Sequence, residues 1–256
     1  MSQRLAASAI LVAAILAPRP SLGASQAAAA KAAPNTLSEA ERAAGFRLLW
    51  DGRTSKGWRS AKGAAFPASG WEIQDGVLSV VETGGAESRA GGDIVSEASF
   101  AAFELRFEFR LTPGANSGVK YYVDTELNKA EGSAIGLEFQ LLDDARHPDA
   151  KAGRHGNRTL ASLYDLIPAA AAKPTRPIGE WNEARIVSDG RHVEHWLNGT
   201  KVLSYERGSD AFRQLVAASK YKVWPAFGER PSGPILLQDH GNRVSFRNLR
   251  IRELKP

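Results

Sequence analysis

The sequence predicts an all-β protein: a sandwich or barrel of short antiparallel strands with one short helix in a loop. Three observations carry this. Strand-length runs with a period of two recur along most of the chain, and Phe103-Glu104-Leu105-Arg106-Phe107-Glu108-Phe109-Arg110-Leu111 is the cleanest. Tight glycine turns separate such runs at Asp75-Gly76, Asp189-Gly190 and Asn198-Gly199. The 24 glycines and six tryptophans suit turns and sheet packing, while helix signals are few. With 256 residues, 43% of them hydrophobic and 24% charged, the chain has the length and apolar content of a single all-β domain with one sizeable core.

The N-terminus carries Arg4, an apolar run over 5–17, then Pro18, Pro20 and small residues up to Ala24. This is the layout of a secretory signal over 1–24, too short for a mature membrane span, and it places the protein in the periplasm or outside the cell. An alanine-rich linker is expected over 25–44, with Thr36 or Ser38 capping a short helix near its end. The globular domain then spans 45–256. Strands are expected over 46–50, 71–74 and 77–80, and 83–92 reads as a polar loop. The strand of 103–111 turns at Thr112-Pro113-Gly114 into Asn116-Ser117-Gly118 and a strand over 119–123. A long loop over 145–160 precedes a three-strand meander over 181–205. Ser209 caps a helix over 209–219, with Phe212, Leu215 and Val216 on one face. The last strand, 244–254, changes its inward parity between Phe246 and Leu249, which predicts a bulge at Arg247-Asn248.

Composition excludes several function classes. The formal charge of +5 includes Arg4 and Arg19 in the expected signal, so the remaining balance is mild, and no basic run with interleaved aromatics stands out as a nucleic-acid surface. The absence of cysteine excludes disulfides and a lipid-anchoring N-terminal Cys. There is no repeat, phosphate loop, dinucleotide fingerprint or zinc-type histidine pair.

The chemistry-bearing stretch is Gly132-Ser133-Ala134-Ile135-Gly136-Leu137-Glu138-Phe139-Gln140-Leu141-Leu142-Asp143-Asp144. As a strand it puts Leu137, Phe139 and Leu141 on one face and Glu138 and Gln140 on the other. A carboxylate beside a carboxamide suits a base, or a ligand holder, with an amide for sugar hydroxyls; the plainer reading is a solvated face. His147 and His155 follow in the loop, and an imidazole at His147 suits acid–base work or metal ligation near neutral pH. Asp143, Asp144 and His147 together offer donors for a divalent ion that would polarise a carbonyl, but their spacing is loose and no cofactor is assigned. Lys120 offers a cation on the face opposite Val119 and Tyr121, Asn116 a cleft ligand or a turn residue, and His240 a rim residue. His192, His195, Trp181, Trp196 and Phe246 read as structural.

The ordered set of segments resembles the 3-keto-disaccharide hydrolase family, which has a concanavalin A-like jelly-roll fold. The segments are 46–52 with Gly57-Trp58, Trp71 with Asp75-Gly76, Asn116-Ser117-Gly118, Gly136-Leu137-Glu138-Phe139-Gln140-Leu141-Leu142-Asp143, Leu163-Tyr164, Gly179-Glu180-Trp181-Asn182, His195-Trp196-Leu197-Asn198-Gly199, Leu237-Gln238-Asp239-His240-Gly241 and Phe246-Arg247-Asn248-Leu249. The chain departs from the pattern at Lys120-Tyr121, since many relatives carry an arginine two positions further on. The resemblance implies a jelly-roll sandwich acting on saccharides with a ketone at carbon 3. Such a ketone acidifies the hydrogen at carbon 2, so a base, a cation for the enolate and an acid for the leaving group suffice for elimination at carbon 1, and hydration completes net hydrolysis. With it, Glu138, His147, Asp143 and Lys120 become candidate catalytic residues, and Asn116, Gln140, Tyr164 and His240 candidate substrate-binding residues. A non-catalytic carbohydrate-binding module on the same scaffold is the alternative.

Overall fold

The computed structural model describes residues 33–85, 91–128 and 132–255. The expected signal and the linker up to residue 32 lie outside the described residues. In chain order the elements are α1 (Glu39–Ala43), β1 (Arg47–Leu48), β2 (Trp58–Ser60), β3 (Trp71–Gln74), β4 (Val77–Val80), β5 (Ile94–Phe100), β6 (Phe103–Leu111), β7 (Asn116–Asp124), β8 (Ile135–Leu142), β9 (Asn182–Ser188), β10 (His192–Leu197), β11 (Thr200–Glu206), α2 (Asp210–Ala217), β12 (Gly233–Leu237) and β13 (Val244–Glu253).

They form two antiparallel sheets. The larger runs β11-β10-β9-β6-β13-β4-β3, with β1 also on β13; the smaller runs β2-β5-β12-β7-β8. In both sheets a late strand sits between early ones, β13 between β6 and β4 and β12 between β5 and β7, which is the interleaving of a jelly-roll sandwich. Between the sheets lies one main apolar core that includes Trp50, Phe103, Phe107, Phe109, Phe139, Phe246 and Ile251. Among the described residues no helix is long and apolar enough to cross a membrane.

Local chemistry explains most turns and ends. Asp75-Gly76 and Asn198-Gly199 have φ of 51° and 74°, and 46° and 82°, the doubly left-handed pair that a two-residue hairpin requires. Ser38 caps α1 in a full capping box with Glu41, and Ser209 accepts from the Phe212 N–H at the start of α2. The expected bulge in β13 is present: the register on β6 shifts between Arg247 and Arg250, and Asn248 takes φ 56°. Its side chain is held by Asn35, which lies in the expected linker and also donates to the Gly76 carbonyl (2.8 Å), so ordered packing begins before residue 45.

Several expectations are corrected. Ile94–Phe100 is a strand that its Ile-Val-Ser-Glu-Ala-Ser-Phe pattern, lacking clean alternation, does not announce. Leu215 points out of α2 and is 38% exposed, and Phe212 is the buried residue of that helix. Trp181 and Trp196 are half-buried rather than core: guanidinium groups of Arg247 (4.1 Å) and Arg185 (3.8 Å) lie over their rings. Phe246 and His195 are fully buried, as expected of structural residues.

Candidate active site

The site is built on β7 and β8. In their register Lys120 stands opposite Glu138, and Gly118 opposite Gln140. Leu137, Phe139 and Leu141 enter the core, which sends Glu138 and Gln140 to the other face. That face is not solvated, since every residue of β8 is buried. Backbone from the following loop runs along the strand: Gln140 N–H donates to Ser162 O (3.1 Å), Ala161 N–H to Gln140 O (2.8 Å) and Tyr164 N–H to Glu138 O (3.0 Å). Beyond α2, a short 3-10 turn, Lys220–Val223, adds further side chains. The result is a cleft of about 170 Å³ lined by Asn116, Lys120, Glu138, Gln140, Tyr164 and His240, together with Lys220, Tyr221, Trp224 and Gln238.

Its electrostatics centre on Glu138, which is 4% exposed. Burial pushes its carboxyl above the usual carboxylate range, and the nearby charges of Lys120 and Lys220 oppose that rise. The Lys120 ammonium is 3.8 Å from Glu138 Oε2, donates to Ala134 O (3.1 Å) and to Ser133 Oγ, and Ser133 in turn donates to Asp93. Lys220 is exposed as a residue, but its ammonium lies 4.3 Å from the Tyr164 ring centroid and 5.2 Å from that of Tyr221. Desolvation among these groups lowers its pKa, Glu138 opposes the shift and Lys120 adds to it. The Tyr164 hydroxyl donates to Asp149 (2.8 Å), and burial, then the charge of Glu138, hold that hydroxyl protonated.

Two acceptor-capable atoms remain for a ligand. Gln140 Oε1 and His240 Nδ1 are buried and have no hydrogen-bond partner among the described residues. Gln140 is oriented by its Nε2, which donates to Asn116 Oδ1 (3.4 Å). A buried acceptor without a donor costs about 1–3 kcal/mol, and a sugar hydroxyl is the kind of donor that removes this cost.

Six of the eight candidate residues thus line one cleft; Asp143 and His147 do not. Asp143 accepts from Gly114 N–H (2.8 Å), Ala145 N–H (3.2 Å) and Arg146 (3.1 Å), so it ties the β8 end to the turn before β7. His147 Nδ1 accepts from Asp149 N–H (3.2 Å) at the start of the 3-10 turn Pro148–Lys151, which leaves Nε2. Its ring meets that of His240 edge-on at 6.2 Å, so it contacts a cleft residue without lining the cleft itself. Burial, then His240, lowers its pKa. The donors weighed for a divalent ion do not converge: Asp144 instead accepts from Leu160 N–H (2.7 Å) and pairs with Lys173 (2.7 Å). Among the described residues no group of three or more acidic, histidine or cysteine side chains is arranged to hold a metal.

Residues 45–252 match the model of the 3-keto-alpha-glucoside-1,2-lyase-like domain. The chain belongs to this family. A 3-keto-disaccharide hydrolase of Bacteroides thetaiotaomicron is 37% identical over 230 residues, covering 82% of this chain and 79% of its own. Two solved Parabacteroides distasonis structures, provisionally described as glycosyl hydrolases, are also similar. One is 30% identical with a TM-score of 0.76, covering 87% of this chain and all of its own; the other is 27% identical with a TM-score of 0.56, covering 77% and 99%. Membership makes this 3-keto-alpha-glucoside-1,2-lyase-like domain an enzyme domain. Lys220, Tyr221 and Trp224 are among the cleft residues that sequence reasoning missed. Their only signal is the short alternation Lys220-Tyr221-Lys222-Val223-Trp224, some eighty residues from Glu138 in the chain.

Gly118 is what gives the carboxylate its place. A Cβ there would lie 2.2 Å from Glu138 Oε1 and 2.8 Å from Glu138 Cδ. In Gly118→Ala the Glu138 side chain must swing aside while the backbone stays. With Glu138 as the candidate base, kcat/KM should fall on the order of a hundredfold, the cost of misplacing a catalytic group by about an ångström. Thermal melting within a few degrees of the parent would show that the fold survives.

Proposed function

We propose that this protein is an exported enzyme that cleaves 3-keto-glycosides, 3-keto-disaccharides among them. Carbon 2 loses a proton, the aglycone leaves carbon 1, and water adds to complete net hydrolysis. The observation that carries this reading is the charge inventory of the cleft: Glu138 is its sole carboxylate among the described residues, and two lysines accompany it. Ordinary glycosidases flank the scissile bond with two carboxyl groups around an oxocarbenium-like transition state. One base beside two cations suits an enolate instead. Glu138 takes the carbon 2 proton, and its raised pKa makes it a stronger base than an exposed carboxylate. Lys120 beside it stabilises the negative charge that appears on the oxygen at carbon 3. The proton on Glu138 is then available to the departing aglycone oxygen. Gln140 Oε1 and His240 Nδ1 accept from ring hydroxyls. The similarity to the Bacteroides 3-keto-disaccharide hydrolase supports the substrate class, and the apolar run over 5–17 supports export.

The test compares a 3-keto-glucoside with the unoxidised glucoside. Aglycone release should be confined to the ketone, whose carbon 2 hydrogen is acidic. In heavy water the released sugar should carry deuterium at carbon 2 beyond the uncatalysed background. Equal turnover of both glucosides, or a product free of deuterium, would defeat the elimination. Saccharide binding without any turnover would leave the binding-module alternative. Retention of the whole chain inside the cytoplasm with Met1 intact would remove the export half of the proposal.

A further inference from the structure

The two lysines of the cleft are held in different ways. Lys120 is 5% exposed, and its ammonium is committed to Ser133, Ala134 and Glu138. Such a group is a fixed cation. The Lys220 ammonium has no hydrogen bond or ion pair among the described residues; only its backbone N–H is engaged, with Asp165 Oδ2 (2.9 Å). It rests on the faces of Tyr164 and Tyr221 and opens into the same cleft as Glu138. Desolvation of the ammonium, with Lys120 adding to it and Glu138 opposing it, pushes Lys220 toward the neutral amine, and an unbonded amine that opens into the cleft beside a carboxylate base is the setting for Schiff-base chemistry with a ketone.

Resting on the elimination reading above, we infer that Lys220 is a covalent catalytic residue that condenses with the carbon 3 ketone while Lys120 stays the fixed cation beside Glu138. The steps balance without an external co-reactant other than water. The Lys220 lone pair adds to carbon 3, the C–O π pair goes to oxygen and takes a proton, and water leaves to give an iminium. Glu138 removes the carbon 2 proton, and that C–H pair forms the C2–C3 double bond while the iminium π pair returns to nitrogen. The enamine pair then re-forms the iminium, a C1–C2 double bond appears, and the C1–O bond breaks with its pair and a proton going to the aglycone. Water adds at carbon 1, carbon 2 regains a proton, and a second water hydrolyses the iminium. That second water replaces the one lost at condensation, so the net reaction consumes one water. An iminium is a stronger electron sink than the ketone, so it acidifies carbon 2 further.

The test uses the 3-keto derivative of 1,5-anhydroglucitol, which lacks a leaving group and has no latent aldehyde to label lysines at random. The full-length protein is incubated with it and sodium cyanoborohydride, then digested and mapped. The expected result is one adduct, of the probe's mass less one oxygen, on the peptide bearing Lys220, with activity lost in proportion. The unoxidised polyol should give none. Lys220→Arg should form no adduct and should lose at least about a hundredfold in aglycone release, the scale of removing a catalytic group. Labelling of Lys120, scattered labelling, or no labelling would overturn the inference. If the wild type releases aglycone and exchanges carbon 2 hydrogen while Lys220→Arg keeps its rate, the covalent role falls and the elimination stands. If the wild type does neither, both fall together.

Discussion

Glu138→Gln is expected to lower turnover of a 3-keto-glycoside by at least about a hundredfold, the usual scale of acid–base catalysis. The amide keeps the shape of the side chain and its place above Gly118, and it removes only the base. The same variant should lose a limb of the pH–rate profile. Burial raises the Glu138 pKa above 4.5, and a base must be ionised to act, so wild-type kcat/KM should climb as pH rises through that raised value. The stability consequence has the opposite sense. Between 4.5 and the raised value the folded protein holds a proton that the unfolded chain has released, so this group's contribution to stability falls as pH rises through that window. Glu138→Gln removes that slope. It also takes the opposite charge from Lys120, which remains hydrogen-bonded to Ser133 and Ala134. The two effects on stability oppose each other, so the melting temperature should move little while activity collapses. Retained kcat in a folded Glu138→Gln protein would remove Glu138 as the base.

His195 carries the largest expected effect on stability. It is completely buried on β10 and joins both sheets: Tyr121 of β7 approaches its Nε2 at 2.8 Å, and its Nδ1 lies 3.0 Å from Ala161 O. A carbonyl only accepts, so Nδ1 carries the hydrogen and Nε2 receives the tyrosine proton, which makes the ring neutral. Tyr121 also meets the Tyr205 hydroxyl at 2.7 Å. His195→Ala leaves a cavity and strands Tyr121 and the Ala161 carbonyl, a loss of about 3–5 kcal/mol. For a domain of this size that is a fall of roughly 10 °C in Tm. Burial also depresses the His195 pKa from 6.5 to about 4. Between those values the unfolded chain binds a proton that the native state refuses. The stability of the neutral, buried imidazole is therefore fully present above about 6.5 and is lost as pH falls toward 4, amounting to about 3 kcal/mol. Melting curves from pH 7 to pH 4 should show this slope in the wild type and a shallower one in His195→Ala. Parallel curves would refute the buried neutral imidazole.

Features that depend on a few adjacent residues were legible in the sequence. Asp75-Gly76 and Asn198-Gly199 form hairpins because the φ values they need are cheap for those residue types. Ser209 caps α2 through its own hydroxyl, and the parity slip at Arg247-Asn248 is a bulge. The alternation of Glu138 and Gln140 against Leu137, Phe139 and Leu141 fixed which side chains share a face, and with it much of the cleft floor.

Whether that face meets water could be decided only in three dimensions. Nothing local to β8 tells that residues 161–164 pair along it or that Lys220 and Trp224 arrive from beyond α2. Asp143 and His147 look like site residues because they follow Glu138 in the chain, yet the turn at Gly114 and the start of a 3-10 segment claim them. Tyr122, by strict alternation, belongs beside Lys120. A left-handed residue at φ 52° and the register shift after Tyr121 turn it into the core, where it meets Ser188 and the Ala101 carbonyl. Backbone period and turn chemistry act over two to four residues, so the chain specifies them locally. The burial that raises the Glu138 pKa and the ring faces under Lys220 come from segments far apart in sequence, and only their packing brings those energies into being.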